Sequence, residues 1–77
     1  MFTIEYTIGN SGIMMKRGTD LQKMLLDIMR MGCRISPVGI SEAVAWGETA
    51  KDGERHFIGC ICTIRKGEPK MTNYTSV

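Results

Sequence analysis

The only histidine of this chain, His56, stands four residues before Cys60 and six before Cys62, and a third cysteine lies at Cys33. These are the residue types that could support covalent or metal chemistry. A Cys–His nucleophile needs its two groups within hydrogen-bond reach. Along a regular strand four residues span ~13 Å, so His56 and Cys60 do not form that couple, even with a bulge at Gly59. Structural zinc prefers CxxC-type spacing on tight loops to CxC on a strand. Cys33 joins Cys60 and Cys62 only if a helix end lies over them. Residues i and i+2 of a strand also lie too far apart for a relaxed disulfide. The cysteines are therefore expected to be reduced and to pack as small hydrophobes. No P-loop, GxGxxG or paired-carboxylate pattern occurs. The expectation is a protein that is not an enzyme, with no cofactor, no metal and no small-molecule substrate.

The remaining chemistry is recognition. Phe57 to Ile64 is apolar on both sides of a strand: Ile58, Cys60, Cys62 and Ile64 point one way, Phe57 and Ile61 the other. One helix covers one face of a small sheet, so the second apolar face calls for a partner. Phe57, Ile61 and Trp46 are the candidate contact residues, since central aromatics tend to carry interface energy. Glu5 and Arg55 are the candidate polar rim. The alternative is nucleic acid, with Lys16, Arg17, Arg34, Arg65 and Lys66 gripping phosphate and Phe57 stacking a base on an open sheet face. Seven methionines are many for this length; Met24 and Met29 lie on the helix stripe as core, whereas Met14 and Met15 are consecutive and cannot both face inward, so one of them is expected to add adaptable surface.

The elements that must position these residues follow from periodicity. Phe2, Ile4, Tyr6 and Ile8 alternate with Thr3, Glu5 and Thr7, which predicts a strand with one wet face. Gly9-Asn10-Ser11-Gly12 is a turn, and Ile13 to Arg17 runs back as a second strand. Leu21, Met24, Leu25, Ile28 and Met29 form the stripe of an amphipathic helix. Thr19 and Gln22 are spaced as its capping box, and Gly32 closes it. Pro37 bars a central strand, so residues 34–40 are assigned to a crossover. Val44 and Trp46 alternate with Ala43 and Ala45, which predicts a strand over 42–48. Asp52-Gly53 is then a hairpin turn leading into the bifacial strand. The predicted fold is α+β: a two-layer sandwich of ββαββ order, with an antiparallel sheet of about four strands and one amphipathic helix on one face. Residues 1–68 make the single domain and 69–77 a flexible polar tail.

Size and charge set the remaining bounds. A chain of 77 residues is one small, marginally stable domain, for which dimerisation is a common remedy, and a homodimer is expected. No apolar run reaches the ~18 residues of a membrane span, and the first residues alternate instead of forming a leader, so the expected location is cytoplasmic. A net charge of +2 is small for an electrostatic nucleic-acid binder. In length, compactness and lack of catalytic residues, the chain resembles the small accessory proteins of phages and mobile elements, including anti-CRISPR and anti-restriction inhibitors. That resemblance implies function by occupying a surface of a larger host machine.

Overall fold

The structure is a computed structural model and describes residues 1–67; the expected tail at 69–77 lies outside the described residues. Four strands and two helices follow one another as β1 (Phe2–Tyr6), β2 (Met14–Gly18), α1 (Leu21–Arg30), α2 (Pro37–Thr49), β3 (Arg55–Ile58) and β4 (Cys62–Lys66). The strands form one antiparallel sheet in the order β2-β1-β4-β3. The α+β class and an antiparallel sheet are as the sequence predicts, but the count of four strands agrees only because the predicted strand over 42–48 is helical while the predicted strand from Phe57 to Ile64 is two, β3 and β4. The order is ββααββ, however, and there are two helices instead of one.

The second helix is the main correction. Residues 42–48 are helical, because the start signal lies further upstream. Ser36 is the N-cap, its hydroxyl accepting from the Gly39 N–H at 3.0 Å. Pro37 occupies the first turn, where its missing N–H has no intrahelical partner to lose. The proline that argues against a strand therefore opens a helix. The alternation of Val44 and Trp46 with Ala43 and Ala45 is incidental. The buried positions are Ile40, Ala43 and Gly47, spaced by three and four. Small residues there let α2 lie close to its neighbours: a Cβ on Gly47 would stand 3.0 Å from Leu21 Cδ2 and 3.1 Å from Phe2 Cζ.

Helix α1 buries Leu21, Met24, Leu25 and Ile28 of its predicted stripe, with Met29 half-buried against them. Its N-cap is Asp20, one residue after Thr19, and the Asp20 carboxylate accepts from the Lys23 N–H at 3.1 Å. Asp serves this position at least as well as Thr. At the other end the Cys33 N–H donates to Ile28 O and the Gly32 N–H to Met29 O. With Gly32 at φ +111°, that is a Schellman closure.

The bifacial strand is also corrected. Residues 59–61 form the turn between β3 and β4, where Gly59 takes φ +58°, a left-handed conformation that favours glycine. Cys60 is exposed on that turn and does not join the core. Lys51-Asp52-Gly53-Glu54 carries the chain from α2 into β3 and does not join two strands. Both helices pack on one face of the sheet, over Ile4, Tyr6, Cys62 and Ile64. The other face is left uncovered by the described residues.

Candidate binding face

Pairing register decides what the uncovered face presents. Thr3 lies opposite Arg17 on β2 and Arg65 on β4, and Arg65 lies opposite Arg55 on β3. One transverse row therefore reads Arg17, Thr3, Arg65, Arg55. Two residues along each strand, the next row reads Met15, Glu5, Thr63, Phe57. Side chains at alternate positions share a face, so both rows project away from the helices. Phe57 is 63% exposed and Met15 54%, with Ile13 at 74% just beyond β2. The face thus carries a row of three arginines and, beside it, a mixed row with exposed Met15 and Phe57 at its two edges and Glu5 and Thr63 between them.

Among the described residues, the cationic row contains no acid of its own. Arg55 and Arg65 are directly opposed, a like-charge pairing that is unfavourable in an antiparallel sheet. The Arg65 Nε is buried and has no hydrogen-bond partner among the described residues. Thr3, buried between Arg17 and Arg65, turns its hydroxyl to the Gly67 carbonyl at 3.1 Å. Glu5 is the one acid in the two rows.

The predicted contact residues divide. Phe57, Glu5 and Arg55 share the uncovered face. Ile61 lies half-buried in the β3–β4 turn and packs against the core cluster. Trp46 sits on α2, across the sheet, stacked on His56 at 5.3 Å and tilted against Phe2 at 6.4 Å. The predicted basic residues divide too. Arg17 and Arg65 stand in the arginine row. Lys16 and Lys66 belong to the helix-facing side, opposite Ile4 and Phe2. The Lys66 ammonium donates to Gly47 O at 2.9 Å and lies 5.4 Å from the Phe2 ring centre, so it holds the last turn of α2. Arg34 is exposed beyond α1, beside Thr7, Gly32 and Ile61. Sequence reasoning expected one of Met14 and Met15 at a surface but did not place Met15 on this face, and it missed Ile13 altogether. Alternation along β2 carried part of that signal, but the register did not appear in it.

The thiols and the histidine have other surroundings. Cys33 and Cys62 are both buried, Cys60 exposed. Burial pushes the Cys62 thiol up from 9.0 to about 12, and neighbouring Cys33 adds to the rise. Burial also raises Cys33, opposed by a hydrogen bond with the Arg34 backbone. Such thiols stay protonated and are poor nucleophiles and metal ligands. Among the described residues no group of three His, Cys, Asp or Glu side chains is placed to hold a metal ion. No helix of the described residues is long and apolar enough to cross a membrane.

Comparison with protein families, with curated proteins and with solved structures finds no match to this chain.

Proposed function

We propose that this protein is a non-enzymatic binding module, an inhibitor or adaptor that occupies an anionic surface of a larger host complex through its uncovered sheet face. One observation carries this reading: a row of three arginines lies beside the exposed Phe57 and Met15, on a face that no described element covers. Exposed aromatics and arginines are the residue types that most often anchor interfaces. Stacking of Trp46 on His56, and the Cys33 and Cys62 thiols held protonated by burial, support a role without catalysis.

Charge bears on who the partner is. Two copies stacked through this face would set three arginines against three, with one glutamate each, in a partly desolvated interface. Like charges brought together there oppose association. The face therefore suits a partner of opposite charge better than the expected second copy. The second reading, a small nucleic-acid-binding domain, gains a specific observation from the same row. Arg17 and Arg65, distant in sequence, are brought into line with Arg55.

The test uses host-lysate capture by the wild-type chain and by Phe57→Asp. Phe57 is largely exposed, so the variant should keep its circular dichroism spectrum and lose the captured partner. Capture unchanged by Phe57→Asp and by charge removal at Arg55 would rule the face out.

A further inference from the structure

We infer that the anionic surface is a single strand of nucleic acid, its phosphates lying along Arg17, Arg65 and Arg55 and a base stacking on Phe57. This rests on the binding-face reading above. Three features favour a strand over an acidic protein patch or a lipid surface. The first is shape. The cations form a line across the sheet, from edge strand β2 to edge strand β3. At ~4.8 Å per strand interval that line is about 14 Å long, a length suited to two or three nucleotides, the number a four-stranded sheet commonly stacks. A lipid headgroup plane offers no such line.

The second is side-chain type. Every cation in the row is arginine, while Lys16 and Lys66 lie on the helix side. The guanidinium fork matches phosphate oxygens in a bidentate way and also stacks on bases, which an ammonium does not do. The third is the neighbouring row. Phe57 follows Arg55 by two residues on the same face, so an exposed ring lies ~7 Å from the end of the cation line. A base next to a bound phosphate can reach it. Glu5, in the same row as Phe57, would repel phosphate placed over that row and so keeps the backbone on the arginine side.

The probes are fluorescein-labelled oligothymidine and oligouridine of about a dozen nucleotides, a duplex of the same length, and phosphatidylcholine vesicles carrying phosphatidylserine. Anisotropy should show single-strand binding. Its logarithmic salt slope should be about −2, at roughly −0.7 per neutralised phosphate, which is about twentyfold weakening from 50 to 200 mM salt. Arg17→Gln, Arg55→Gln and Arg65→Gln should each reduce that slope by about 0.7. Phe57→Ala should weaken binding about tenfold, as lost base stacking does, with the slope unchanged. Lys23→Gln, on the outward side of α1, should change little, and circular dichroism checks that every variant folds.

No single-strand binding at low salt overturns the inference, as does binding to duplex or vesicles that equals single-strand binding and ignores Phe57→Ala. If oligonucleotides fail but the arginine variants abolish capture of a protein partner, the strand is wrong and the binding face stands. If the same variants change neither, both fail.

Discussion

At the scale of single residues, the cysteines show how position in the fold overrides spacing in the chain. Cys60 and Cys62 are two residues apart, yet one lies on a turn in solvent and the other in the core beside Cys33. A thiol reagent at neutral pH should therefore titrate one cysteine quickly in the native protein and all three after denaturation. Two fast thiols in the folded state would contradict the burial of Cys62. The raised Cys62 pKa also sets a pH dependence. In the unfolded chain this thiol ionises near 9, whereas in the folded protein it holds its proton to about 12. Folding stability from this site is thus complete below pH 9 and is lost as pH rises towards 12, because the unfolded state releases the proton first. Urea midpoints should fall across that window, and Cys62→Ala should flatten the fall. Gly59 offers a contrast in backbone. A Cβ there meets nothing within 4 Å, yet φ is +58°. Gly59→Ala should cost about 1 kcal/mol through the left-handed conformation alone. Gly12→Ala, equally open and without a positive φ, should cost almost nothing. Equal chemical-denaturation midpoints for the two variants would remove the turn argument.

At the scale of elements, α1 was legible because its burial stripe, its glycine stop and its flanking polar residues all agree. Only its cap moved by one residue, to Asp20. Helix α2 was not legible from the hydrophobic pattern. Its buried side is built from Ile40, Ala43 and Gly47, and small residues give almost no periodic contrast. The informative signal was Ser36-Pro37, an N-cap followed by a first-turn proline. Ser36→Ala should destabilise the protein by about 1 kcal/mol, and Ser36→Asp should restore most of that loss. Equal stability of all three in urea unfolding would mean that the Ser36–Gly39 bond contributes nothing. The β3–β4 hairpin was concealed for a related reason. Phe57 to Ile64 is apolar throughout, so composition alone reads as one long strand, and only Gly59 marks the reversal.

At the scale of the whole molecule, the two sheet faces have different work. The helix side is closed by Ile4, Cys62 and Ile64, by the Trp46–His56 stack and by the Lys66 tie to α2. The other side is left with arginines, Phe57 and Met15. Substitutions on that open side should separate binding from folding. Phe57→Asp should alter stability by no more than about 0.5 kcal/mol, the usual range for exposed positions, while Ile28→Ala in the core should cost about 2–5 kcal/mol. Comparable thermal shifts for the two would mean that Phe57 is covered in solution.

The sequence by itself determined the class, the first two strands, helix α1 with its buried stripe, and the placement of Phe57, Glu5 and Arg55 on the side away from the core. These depend on alternation and on local caps, which act over a few residues. Only the tertiary structure decided that Arg17, Arg65 and Arg55 stand in one row and that Lys66 and Trp46 serve the opposite side. Strand order and register bring together residues nearly fifty positions apart, through hydrogen bonds between strands. A local pattern carries no information about which strand will be its neighbour.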